Sequence, residues 1–304
     1  MIATTSGAVE RIELATGRGR FHALATGDPR HPPVLVLHGF PDAPPTFAPL
    51  LTALAAGGLR AIAPWLRGYA PSVLDGPYDV DALADDVAAW ADALSPDRPV
   101  RLLGHDWGAL ATYAACARHP ARIAAAVTLA VPHPMAFVRG LDAAQLARSW
   151  YMLFFQLPGA LRLGRARDFA LIDRLWRRWS PGYRLPPALR AEVHACLAAS
   201  WPAPARYYRA LLWPPGAALA RVAPTSPLVQ PIATPLLYLH GADDGCIGVD
   251  AEREARRYLA GPYRFEILTG AGHFLAAERP VDVAERAIAW FGAHAAGTDA
   301  ARRA

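Results

Sequence analysis

Gly104-His105-Asp106-Trp107-Gly108 decides how this chain is read. A strand-like run at 100–103, Val-Arg-Leu-Leu, leads into it and an alanine-rich run at 109–117 leads out. The first has the length of a buried strand and the second the composition of a helix. Small residues at 104 and 108 bracket one central side chain. A strand can turn straight into a helix there only if its neighbours are small, the layout of a nucleophile elbow. Serine usually takes the central place. Here it is Asp106, and that difference governs the chemistry expected.

Outward from the elbow, strand and helix patterns alternate. Residues 11–15 and 21–25 read as an antiparallel opening pair across a turn at 17–19. The apolar run 34–37, between Pro32-Pro33 and His38-Gly39, suits a strand covered on both faces. A helix at 45–56, a strand at 60–63 and a helix at 80–94 follow. In the last, Leu83, Val87, Trp90 and Leu94 form one stripe, with aspartates expected on the other face. After the elbow a further strand is expected at 125–131. From 135 to 229 no buried strand is readable. Helical stretches at 142–156, 167–179, 187–199 and 203–213 stand there instead. The alternation then resumes with a strand at 235–239, a helix at 250–259 capped by Asp250, a strand at 264–268 and a helix at 281–294. The small, polar tail from Ala295 is expected to fray. The expected class is therefore α/β: a mostly parallel central sheet flanked by helices, with core segments 1–134 and 230–304 and an all-helical lid at 135–229.

Composition narrows the function. The chain has 304 residues, 53% hydrophobic and 19% charged, which fits a globular enzyme and argues against disorder. Its net charge of +5 comes from arginine alone, for lysine is absent. The arginines are scattered, and the local group at 162–178 reads as a solvated face, so no nucleic-acid partner is expected. No phosphate-binding glycine loop occurs. No apolar run is long enough to span a membrane, and residues 1–10 do not resemble a signal peptide. Cys116, Cys196 and Cys246 are far apart and odd in number, and read as buried thiols in a reducing compartment. A cytoplasmic protein without metal or cofactor is expected, and the sequence is compatible with a homodimer.

Three residues fall at strand ends in the order nucleophile, acid, histidine: Asp106, Asp244 and His273. Asp244 ends Gly241-Ala242-Asp243-Asp244, and its neighbour Asp243 competes for the role. Each alone has a plainer reading, such as a helix cap for the aspartates. The conjunction, each at its own strand end and in order, carries the weight. His38-Gly39-Phe40-Pro41 follows the strand at 34–37. In this layout the loop supplies one backbone donor to an oxyanion hole, Phe40 N–H, and Trp107 N–H supplies the second. His38 reads as structural.

An aspartate, with a pKa near ~4, needs no base to become a nucleophile. Attack on an acyl ester would give an anhydride, so the better substrate has an electrophilic saturated carbon with a leaving group, a halide or an epoxide oxygen. The product is an alkyl ester of Asp106. His273, oriented by Asp244, would then activate the water that hydrolyses it. An epoxide oxygen leaves as alkoxide and needs a proton, which tyrosine can share. The lid offers Tyr151 on one stretch and Tyr207-Tyr208 on another.

With these residues in place the chain resembles, over nearly its whole length, the epoxide hydrolases of the α/β-hydrolase superfamily. The matching motifs are His-Gly-Phe-Pro at 38–41, Leu-Arg-Gly-Tyr at 66–69, Gly-His-Asp-Trp-Gly at 104–108, Phe-Phe-Gln-x-Pro-Gly at 154–159, Tyr-Arg at 208–209 and Gly-x-Gly-His-Phe at 270–274. The resemblance implies the α/β-hydrolase fold, a small epoxide as substrate, and Tyr151 and Tyr208 as the ring-opening pair. Tyr207 stands where relatives often carry Trp, so it remains an alternative to Tyr208. His38, Pro41, Phe155 and Phe274 are expected to line the pocket. Phe47 departs from a common Trp and puts pocket shape in question. Dehalogenases share the Asp elbow, but many carry Asn where Phe40 stands, or Arg where Trp107 stands. A binding protein on the same fold is the remaining alternative.

Overall fold

The computed structural model describes residues 8–295. The expectation for the tail beyond Ala295, and residues 1–7 of the amino-terminal reading, lie outside the described residues. Eight strands form one sheet: β1 Glu10–Thr16, β2 Gly19–Thr26, β3 Pro33–Leu37, β4 Arg60–Pro64, β5 Val100–His105, β6 Ile123–Leu129, β7 Leu236–Gly241 and β8 Tyr263–Leu268. Their order across the sheet is β1-β2-β4-β3-β5-β6-β7-β8. β1 and β2 form the antiparallel opening pair, and β2 joins β4 antiparallel. Every other pairing is parallel. The central strands are continuous apolar runs because both faces are covered. Val34 to Leu37 of β3, for instance, are wholly buried.

The covering helices are α1 Ala48–Ala56, α2 Val80–Leu94, α3 Trp107–Arg118 and, after β6, α4 Pro134–Arg139, α5 Ala143–Arg148, α6 Trp150–Phe154, α7 Ala160–Trp179, α8 Pro187–Ser200, α9 Ala203–Ala210 and α10 Pro215–Val222. α11 Leu275–Glu278 and α12 Pro280–Ala293 close the chain. Among the described residues, helices and no strands occupy the stretch between β6 and β7.

Four details correct the sequence reading. The helix expected at 142–156 is two short helices, parted at Ser149. The one expected at 167–179 begins at Ala160 and breaks over Ala166–Phe169, where the backbone leaves helical angles. The helix expected at 250–259 is two separate 3-10 turns, Val249–Glu252 and Ala255–Tyr258. Asp250 lies inside the first turn, whose cap is Gly248, rather than capping a helix. The reason is tertiary: Ala255 and Tyr258 pack against Ala136 of α4, and Leu259 bridges Ile232 in parallel, drawing the chain out of helix. Finally, Asp86 of α2 does not face solvent. It is fully buried and receives Arg67 through Nε at 2.8 Å and Nη2 at 2.7 Å, with Arg18 Nε at 2.6 Å.

Candidate active site

The elbow joins β5 to α3 through Asp106, whose φ of 51° and ψ of -116° are costly for a residue with a side chain. The turn exists because its neighbours have none. A Cβ on Gly104 would lie 2.2 Å from the Gly108 carbonyl oxygen, and one on Gly108 would lie 2.2 Å from that of Leu37. The strain lifts the Asp106 carboxylate to the head of α3, where an anion is favoured by the free amides of the first turn. Its Oδ1 accepts the Phe40 N–H at 2.7 Å. Trp107 heads α3, so its amide is among those that a helix leaves without an internal acceptor.

His273 follows β8 and is completely buried. Its Nδ1 meets Asp244 Oδ2 at 2.8 Å, and its Nε2 faces Asp106 Oδ2 at 3.7 Å. Asp244, after β7, is itself fixed: Oδ1 accepts the amides of Cys246 at 2.7 Å and Ile247 at 2.9 Å. Burial works against a charged imidazole at His273. The Asp244 carboxylate, with Asp106 beyond it, outweighs that and holds the pKa up at about 10. His105 beside it behaves oppositely: burial, then the neighbouring His273, pulls it down to about 3. Its Nε2 is left to bond the His273 carbonyl at 2.9 Å. Asp243 is absent from this array, which uses Asp244.

Tyr151 of α6 and Tyr208 of α9 meet edge to face with ring centres 5.4 Å apart. Both line one cavity with Asp106 and Trp107. The Tyr151 hydroxyl lies 3.3 Å from Cys246 Sγ. The Tyr208 hydroxyl is buried near the Trp107 and Tyr151 side chains and makes no hydrogen bond. Burial, then the Asp106 charge, pushes the Tyr208 phenol well up. Burial, then Cys246, does the same for Tyr151. Tyr207 differs. Its hydroxyl donates to the Arg67 carbonyl, and its ring stacks on Trp107 at 5.1 Å.

The expected pocket lining needs correction. The cavity wall includes none of His38, Pro41, Phe155 and Phe274. They stand one layer back. His38 Nε2 accepts the Leu66 amide at 3.1 Å. Phe155 stacks behind Tyr208 at 5.3 Å, Phe274 stacks on Trp176 at 3.4 Å, and the Pro41 carbonyl accepts Trp176 Nε1–H at 2.9 Å. Beside Asp106, Trp107 and the tyrosines the wall is mainly aliphatic, with Leu110, Val131, Leu211 and Ile247 among its residues. Two neighbours of the site escaped the sequence reading. Asp42 accepts Thr46 Oγ1–H at 2.7 Å, and burial pushes its carboxyl up to about 7, with the Asp106 charge adding to the effect. Gln145 ties the loop after Asp244 to α5, donating to the Cys246 carbonyl at 3.0 Å and accepting the Gly248 amide at 2.9 Å. Asp42 extends the His-Gly-Phe-Pro run, which was its only signal; Gln145 had none. Cys196 also departs from expectation, being half-buried rather than buried.

Asp244, Cys246 and His273 are the one group among the described residues with metal-type ligand atoms within 4.8 Å of one another. Burial, then the Asp244 charge, pushes the Cys246 thiol well up, which disfavours the thiolate a metal would need.

A carboxylate–imidazole–carboxylate array at the carboxyl ends of parallel strands, with a backbone donor already aimed at the nucleophile, is the site of a hydrolase. The sequence profile of the α/β hydrolase fold matches residues 32–280. Epoxide hydrolase 3 of Xenopus tropicalis is 30% identical over 280 residues, covering 87% of this chain and 72% of that protein. Epoxide hydrolase A of Mycobacterium tuberculosis is 29% identical over 303 residues, covering 87% and 91%. Among solved structures, epoxide hydrolase A of Mycobacterium thermoresistibile has a TM-score of 0.75 at 24% identity, over 94% of this chain and 98% of its own. VrEH1 of Vigna radiata has 0.78 at 22%, over 94% and 100%. The two structures speak for the fold. The chain belongs to the α/β-hydrolase family, among its epoxide hydrolases.

Proposed function

We propose that this protein hydrolyses epoxides to vicinal diols through a covalent ester on Asp106. Residues 135–229 serve as the lid over core segments 1–134 and 230–304. Asp106 Oδ2 attacks a ring carbon, the carbon–oxygen bond breaks, and Tyr151 and Tyr208 give the departing oxygen a proton. Forming the ester removes the Asp106 charge, one of the two negative charges that keep His273 protonated. His273 thereby gives up its proton, which restores the tyrosine that protonated the departing oxygen, and the neutral imidazole then takes a proton from water. The water attacks the ester carbonyl, the Phe40 and Trp107 amides hold the oxyanion, and collapse releases the diol.

The observation that carries this reading is the tyrosine pair facing the cavity that holds Asp106. A halide leaving group would need no such proton donors. Among the described residues the cavity wall holds no asparagine, and its one arginine, Arg221, is paired with Asp79 and Asp81. The test is intact-protein mass after exposure to styrene oxide. His273→Gln should gain the mass of one substrate, and Asp106→Ala should gain nothing and turn nothing over. An active Asp106→Ala, or bromide released from bromobutane by a protein that makes no diol, sinks the proposal.

A further inference from the structure

The cavity above Asp106 has a volume of about 430 Å³, in the range that encloses a drug-sized ligand. Away from Asp106 and the tyrosines its wall is mostly apolar, aliphatic side chains together with Trp107, Phe137, Met135 and Met152. Its lining includes exposed apolar side chains that form a rim, with Val138 and Leu212 each 50% exposed, Leu219 69% and Val222 48%. Among the described residues, two further charged groups touch the cavity: Asp79 at the start of α2 and Arg221 on α10. Arg221 is the one cation on the wall among the described residues, and each of its three guanidinium nitrogens already has a partner. Nη2 lies 3.1 Å from Asp79 Oδ2, Nε donates to Asp81 Oδ2 at 3.2 Å, and Nη1 donates to the Ala210 carbonyl at 3.0 Å.

Resting on the epoxide reading above, we propose that the substrates are uncharged lipophilic epoxides, and that the Asp79–Arg221 pair excludes epoxides whose tail bears a carboxylate. A hydrocarbon tail fills the aliphatic wall with no polar group to satisfy. A carboxylate on the same tail finds no donor. Arg221 is already matched, Asp79 repels a second negative charge, and the remaining wall offers an anion nothing. The rim favours the same class, since exposed apolar side chains collect a lipophilic molecule from water.

The experiment uses the full chain and three terminal epoxides of matched length: epoxydodecane, epoxyundecanoic acid and its methyl ester, with styrene oxide alongside. The alkane and the ester should be turned over with kcat/KM at least ~50-fold above that of the acid, the scale expected for a buried charge without a partner. Asp79→Asn removes the opposing charge and keeps a residue able to cap α2. It releases Arg221 Nη2 from one of the residue's two carboxylate partners, so the acid-to-alkane ratio should rise about tenfold or more, while Arg221→Gln should lower it. Because a ratio is measured within one preparation, loss of folded protein cancels. Acid hydrolysed as well as alkane, or a ratio that neither variant moves, overturns the inference. Styrene oxide turned over while both long neutral epoxides are ignored overturns it and leaves the epoxide reading standing. Failure on every epoxide overturns both.

Discussion

Tyr207 and Tyr208 are adjacent in sequence, and exchanging each for phenylalanine should have opposite consequences. The Tyr207 hydroxyl donates to the buried carbonyl of Arg67. Removing it deletes one buried hydrogen bond and strands its acceptor, a loss of about 1–2 kcal/mol. At about 2–4 °C per kcal/mol for a large domain, Tyr207→Phe should lower Tm by about 2–8 °C. The active-site array is untouched, so turnover by the surviving folded enzyme should hold within a few-fold. The Tyr208 hydroxyl is buried with no partner. Deleting it strands nothing and relieves a desolvated group, so Tm should stay level or rise by the equivalent of ~1 kcal/mol. The ring contacts to Phe40 at 5.2 Å and Phe155 at 5.3 Å survive in phenylalanine. The rate of ester formation, however, should fall ~100-fold, because one of two proton donors is gone. Calorimetry gives the first quantity, and single-turnover quench with styrene oxide the second. If Tyr207→Phe shows the larger loss of rate, or Tyr208→Phe loses stability and keeps its rate, the assignment of the second tyrosine is wrong.

Other outcomes follow from the same geometry. Asp86→Asn breaks a buried carboxylate held by two arginines, and denaturant unfolding should register a loss of about 3–5 kcal/mol. His273 carries a folded-state pKa raised to about 10, so the stability it contributes is complete below about pH 6.5 and lost as pH climbs through 10. Tm across that window should fall more steeply for the wild type than for His273→Gln; an equal slope contradicts the sign. Cys246→Ala deprives the Tyr151 hydroxyl of its neighbour at 3.3 Å and should slow ester formation about two- to tenfold, with Cys246→Ser restoring it. A serine variant as slow as alanine would mean that the thiol acts only by filling space.

Much of the fold was legible because its signals are local. The elbow announces itself through Gly104 and Gly108, and the buried parallel strands through unbroken apolar runs such as 34–37. Details of the helices at 135–229 and of the loops were not, since they rest on distant partners. Nothing in the local pattern tells that Leu259 will pair with Ile232 and undo a helix at 250–259, or that Asp86 will be claimed by Arg18 and Arg67 from far up the chain. The catalytic candidates lie at strand ends, where topology alone brings Asp106, Asp244 and His273 together. The cavity wall depends on how seven helices pack between β6 and β7. The motif-borne residues His38, Pro41, Phe155 and Phe274 therefore turned out to stand behind it, and apolar residues outside any motif, such as Leu110, Leu211 and Ile247, line it beside Asp106 and the tyrosines.

The two oxygens of Asp106 are not equivalent: Oδ1 is fastened to the Phe40 amide, whereas Oδ2 faces His273. If the fastened atom stays in its donor throughout, the free one leaves in every cycle as a hydroxyl of the diol, and water supplies its replacement. The enzyme is then renewed at one atom per turnover and keeps the other for life. In water enriched in heavy oxygen, Asp106 should take up a single label however long the reaction runs, and a doubly labelled side chain would reveal a carboxylate that rotates between turnovers.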